Sequence, residues 1–108
     1  MTSRAAVIEL DALRIDRVLA RRTRYRYVRP RVVREGGGWK IVSPNCSRTI
    51  DARGAEIDIA WLEPDGAGRW LVHARDHRAG AWTPKVGTAS LAAALAIVCA
   101  DPDREYWP

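Results

Sequence analysis

Four residues of this chain have side chains suited to catalysis: Cys46, His73, His77 and Asp58. A cysteine becomes a nucleophile when a nearby cation or base lowers its pKa. Cys46 stands in the polar run Ser43-Pro44-Asn45-Cys46-Ser47-Arg48, next to a guanidinium. Asp58 and His73 fall on two neighbouring predicted strands, where a carboxylate opposite an imidazole can orient it as a general base. No feature of the sequence brings Cys46 or a serine to that histidine, and no cysteine-nucleophile signature surrounds Cys46. Opposite charges across strands are ordinary on an open sheet face, so the structural reading of the Asp58–His73 pair outweighs the catalytic one. A metal would have to gather Cys46, Cys99, His73 and His77. Cys99 belongs to a predicted helix and His73-x-x-x-His77 runs off a strand end, so neither a metal nor a cofactor is expected. Gly36-Gly37-Gly38 is followed by no lysine and no helix, which makes it a hairpin turn and not a phosphate loop.

Arginine is the other conspicuous chemistry. Residues 21–34 hold seven arginines (21, 22, 24, 26, 29, 31 and 34) and no acid. Residues 1–34 carry ten arginines against three acids. The remainder carries eight basic and ten acidic groups, so the net charge of +5 is concentrated in the first third. Such a segment can neutralise the phosphates of a nucleic acid or another polyanion. Base stacking also needs exposed rings beside the cations. Here Tyr25 and Tyr27 alternate with Arg22, Arg24 and Arg26, which puts the rings on the opposite face of a strand. A solvated face, or an edge kept soluble by charge, explains the arginines equally well.

The elements that must position these residues follow from periodicity. Ile8, Ala12, Ile15 and Leu19 line one face of a helix starting at Ile8 or Asp11 and ending near Arg22, and Val18 widens the stripe. Thr23 to Glu35 reads as a long strand, with a bulge or edge position where Tyr27-Val28 breaks the alternation and Pro30 lacks a donor. The glycine turn leads to a second strand, Trp39 to Ser43, ended by Pro44. Residues 44–54 are irregular, with a short strand possible from Cys46 to Ile50. Ile57, Ile59 and Trp61 then alternate with Glu56, Asp58 and Ala60, and Trp70, Val72 and Ala74 alternate with Leu71, His73 and Arg75. Glu63-Pro64-Asp65-Gly66 is the turn between them. A register that sums to 131 would place Trp61 opposite Trp70 on the buried side. It would also set Asp58 opposite His73 and Glu56 opposite Arg75 on the open side. A last strand, Ala81 to Val86, carries Pro84 and reads as an edge. A final helix spans Thr88 to Ala100, capped at Gly87-Thr88 and stopped at Asp101-Pro102, with Leu91, Leu95 and Val98 as its apolar stripe. The tail ends in Tyr106-Trp107, bulky enough to fold back on the domain.

Together these elements predict one α+β domain over residues 1–108: an N-terminal helix, an antiparallel meander of four or five strands, and a C-terminal helix. Both helices are expected on one face of the sheet. With 108 residues a second core would not fit. Two cysteines in no paired spacing suit free thiols in a reducing compartment. Ala5 to Ile8 is too short for a signal peptide, and Leu91 to Ala100 is about half a membrane span. A cytoplasmic location without membrane contact is therefore expected. Trp70, Arg75, Asp76, Trp82, Asp101, Pro102, Tyr106 and Trp107 resemble the pattern of a small bacterial family, the domain of unknown function numbered 3024. Ser43 to Gly54 departs from that pattern. The resemblance supports the helix–meander–helix reading and implies no activity.

The function expected from these features is a non-enzymatic binding module that works through its open sheet face. Its candidate contact residues are Arg22, Arg24, Arg26, Arg29, Arg31, Glu56, Asp58, His73 and Arg75. The partner would be another protein, or a second copy paired through an edge strand. Nucleic-acid or polyanion binding through residues 21–34 is the alternative, and an enzyme using Cys46 with His73 or His77 is the third reading.

Overall fold

A computed structural model describes residues 4–21, 29–44 and 56–107. Helix α1 runs Arg4–Arg21, strands β1 to β5 run Arg31–Glu35, Gly38–Pro44, Glu56–Pro64, Trp70–Asp76 and Ala81–Thr88, and helix α2 runs Leu91–Ala100. The five strands form an antiparallel meander in the order β1-β2-β3-β4-β5. This is the expected α+β fold, with the sheet at five strands. Helix α1 starts four residues before Ile8 because Ala5 and Ala6 favour helix and neither Gly nor Pro interrupts them. The expected long strand is β1 alone within the described residues. Positions 23–28, Cys46 and the possible strand from Cys46 to Ile50 lie outside them.

Both helices cover one face of the sheet. Ile15 and Leu19 of α1 and Leu91, Ala94, Leu95 and Val98 of α2 form one buried cluster with Trp39, Ile41, Ile57, Ile59, Ala60, Leu62, Val72 and Ala74. Ala12 and Val18 pack at its margin.

The β3–β4 hairpin departs from the expected register. Ala60 pairs with Ala74, Trp61 with His73, Leu62 with Val72 and Pro64 with Trp70, a shift of three residues. The turn is tighter than a Trp61–Trp70 pairing would require. The Asp65 carboxylate accepts from the amides of Ala67 (2.8 Å) and Arg69 (3.1 Å), so Leu62, Glu63 and Pro64 are recruited into the strand. A bulge makes the shift compatible with burial. Ile59 and Ala60 together oppose Ile41, and the alternation changes phase there. Ile57 and Ile59 face the helices before the bulge, Ala60 and Leu62 after it. Leu62 is completely buried where Trp61 was expected, and Trp61 moves to the open face. Trp70 stays on the helix side at the core margin.

Helix α2 starts later than expected because Thr88 belongs to β5, its hydroxyl donating to the carbonyls of Trp70 and Ser90. Ser90 is the N-cap and accepts from the Ala93 amide at 3.1 Å. At the other end Asp101 adopts a left-handed conformation, φ 36°. Its amide donates to the Ile97 carbonyl at 3.0 Å. Its carboxylate accepts from the amides of Glu105 (2.7 Å), Tyr106 (3.3 Å) and Trp107 (2.9 Å). The Trp107 indole donates to the Val98 carbonyl at 2.9 Å. The tail thus folds back as expected, with Tyr106 and Trp107 buried in the core cluster.

Burial, with the Glu105 and Asp101 carboxylates adding to it, pushes the Tyr106 phenol up to about 12. The unfolded phenol ionises near 10, so the unfolded chain releases its proton first as pH rises. Stability should therefore fall between pH 10 and 12, by about 2–3 kcal/mol. Urea unfolding at stepped alkaline pH reads this loss, and Tyr106→Phe should remove most of the slope.

Candidate functional site: the open face of the sheet

With both helices on one side, the other side of the meander carries the outward members of each strand. In space these are Arg31, Val33 and Glu35 on β1, Lys40 and Val42 on β2, and Asp58, Trp61 and Glu63 on β3. Leu71, His73 and Arg75 follow on β4, then Trp82 and Pro84 on β5. Trp61 lies at the middle. Its indole N–H donates to the Glu35 carbonyl at 3.1 Å. Its ring centroid is 4.6 Å from that of His73 and 6.2 Å from that of Trp82. The Arg75 guanidinium lies 5.1 Å from the Trp82 ring, within cation–π range.

Charged side chains surround these rings as pairs. Lys40 stands 3.4 Å from both Glu35 and Asp58, and Asp58 also meets the Arg75 Nε at 3.5 Å. Arg31 reaches across β2 to Glu56, its Nε donating to one carboxylate oxygen at 2.7 Å while a terminal nitrogen donates to the other. That fork holds the Glu56 carboxyl below the usual carboxylate range and raises the Arg31 guanidinium. The His73 ring, buried under Trp61, meets Glu63 through Nε2 at 3.2 Å, and its Nδ1 has no hydrogen-bond partner among the described residues. Burial first, and then the Arg75 charge, hold His77 below the ordinary histidine range. The nearby Asp58 and Asp76 carboxylates oppose that shift.

Asp58, His73, Glu56 and Arg75 do share the open face, but with other partners than expected. The three-residue shift gives Asp58 to Arg75 and Lys40, His73 to Glu63, and Glu56 to Arg31. The Asp58–His73 pair on which a general base would rest is therefore not formed. Arg22, Arg24, Arg26 and Cys46 lie outside the described residues. The described arginines of the basic segment point in different directions. Arg31 is on the open face, Arg34 lies 5.1 Å over the Trp39 ring at the helix-side edge, Arg29 is exposed before β1, and Arg21 ends α1. Sequence reasoning missed Trp61, Trp82, Lys40 and Glu63 as members of this face. The adjacent apolar pair Trp61-Leu62 was the available signal of a phase change.

Among the described residues, fold and face together define a small α+β domain with both helices on one sheet face and neither on the other, which carries tryptophans among paired charges. The chain belongs to the domain-of-unknown-function family DUF3024, whose match spans residues 3–108. No curated protein and no solved structure matches it. No helix among the described residues is long and apolar enough to cross a membrane. Among them, no three His, Cys, Asp or Glu side chains converge as metal ligands would.

Proposed function

We propose that this chain is a protein-binding module whose open sheet face is the contact surface. The observation that carries the reading is the Trp61–His73–Trp82 aromatic group, uncovered by either helix and bordered by Arg75. Tryptophan and arginine are the residues that most often dominate protein interfaces, and neutral charge pairs around an apolar centre match their anatomy. The cations of this face already have acids beside them, which favours a protein over a polyanion here. A second copy paired edge to edge is less suited to the fold. Among the described residues the edge strands are β5, which carries Pro84 and a bulge at Lys85, and β1, which is five residues long with Arg31, Arg34 and Glu35.

Site-specific photocrosslinking in the source cells tests this. A benzoylphenylalanine at position 82 should yield a discrete protein adduct, whose mass separates a second copy from another chain. The same probe at exposed Asp103, after α2 and away from both the sheet face and the α1–α2 side, should not. With the captured protein in hand, Trp82→Ala should weaken binding by about tenfold or more. Equal labelling from both positions, or none from position 82, would sink the proposal.

A further inference from the structure

On the helix side a groove of about 420 Å³ runs between α1 and the start of α2. Its floor is Val18, Leu91 and Leu95, and its rim is Arg14, Arg17 and Arg21. All three arginines are exposed and none forms an ion pair among the described residues. This contrasts with the open sheet face, where Arg31, Lys40 and Arg75 each have an acid. The three arginines continue a stripe along the helix. Leu10, Arg14, Arg17 and Arg21 recur at four, three and four residues, and Leu13 sits beside Arg14 and one turn before Arg17. Leu10 and Leu13 are 49% and 56% exposed, the large apolar side chains most open to solvent among the described residues. The stripe lies opposite the core positions Ile15 and Leu19, and Asp11 and Asp16 of the same helix fall outside it. Two leucines and three uncompensated arginines therefore share about 16 Å of one helix face, which leads into a groove with an apolar floor.

We infer that this surface docks an acidic amphipathic helix of a partner protein. Charge complementarity selects the occupant. The three guanidiniums call for carboxylates, while the groove floor and the two exposed leucines call for aliphatic side chains repeating every three or four residues. A nucleic acid would satisfy the arginines and leave the leucines in water. The positive end of α2 beside the groove has the same sign as the arginines and reinforces their field. This surface is separate from the sheet face, so the two proposals stand or fall independently.

The test uses the full chain and a fluorescein-labelled helical peptide with leucines at three- and four-residue spacing and glutamates elsewhere. A peptide with serine in place of leucine, polyuridylate RNA and phosphatidylglycerol vesicles serve as competing probes. The Leu/Glu peptide should bind more tightly than any of them. Arg17→Glu should lower its affinity by about tenfold or more, and Leu13→Ser should lower it severalfold. Trp82→Ala, on the other face, should leave the affinity unchanged. Circular dichroism confirms that the exposed-site variants keep the fold. Equal or tighter binding of the serine peptide, the RNA or the vesicles would overturn the inference, as would Arg17→Glu without effect. Loss of the peptide on Trp82→Ala would move it to the sheet face and overturn the groove.

Discussion

Gly38→Ala should destabilise the chain by about 3 kcal/mol or more, the upper end of what overpacking costs, with loss of β2–β3 ladder bonds adding to it. A Cβ at position 38 would stand 2.1 Å from the Leu62 carbonyl oxygen and 3.0 Å from the Glu63 Cα. Both obstacles are backbone of the central strand, so no side-chain rotation relieves the clash. The strands would have to separate where Trp39 pairs with Leu62, and Leu62 is completely buried at the centre of the core. Gly37→Ala is the matched control. Nothing lies within 4 Å of a Cβ there, and its effect should stay within about 0.5 kcal/mol. Urea unfolding of the two variants beside the parent chain reads the difference. Equal midpoints would show that β2 and β3 do not approach as described.

Asp101→Ala should cost about 3–5 kcal/mol, because one buried carboxylate organises the whole C-terminal tail. Its two oxygens accept from three consecutive amides, Glu105 to Trp107, and it is 1% exposed. Alanine would leave those donors without their acceptor and would strain the left-handed backbone at φ 36°, which Asp and Asn tolerate better. Tyr106 and Trp107 would then detach from the core they help to close. Asp101→Asn keeps the backbone preference and one acceptor oxygen, but turns an amino group toward an N–H donor. It should cost about 2 kcal/mol, between the parent and Asp101→Ala. The near-ultraviolet circular dichroism of the tryptophans should weaken in the same order. An unchanged spectrum in Asp101→Ala would disprove this account of the tail.

These two residues show unequal legibility. The Asp101-Pro102 stop and the returning Tyr106-Trp107 pair could be read from sequence, since a helix stop and two large aromatics near a terminus have local signatures. That the Asp101 side chain caps three later amides could not, because the bonds depend on a left-handed turn that forms only in the folded chain. Gly38 looked like one of three interchangeable turn glycines. Its constraint comes from β3, twenty-four residues away at Leu62.

The candidate site divides in the same way. Period-two alternation identified β4's outward set of Leu71, His73 and Arg75, and it put Asp58 and Glu56 on that same face. Alternation within a strand reports which side a residue takes, so those assignments needed no partner strand. The α+β meander, its four or five antiparallel strands in sequential order, and the helix pair over one face were determined by the sequence alone, through short connections and apolar periodicity. Tertiary structure alone decided the pairing. A bulge at Ile59 and Ala60, together with a tight turn held by Asp65, shifted β3 by three residues against β4. This placed Leu62 in the core, brought Trp61 out onto His73 and moved Asp58 from His73 to Arg75. A bulge is set by how neighbouring strands twist and pack, and single-strand periodicity carries no record of that.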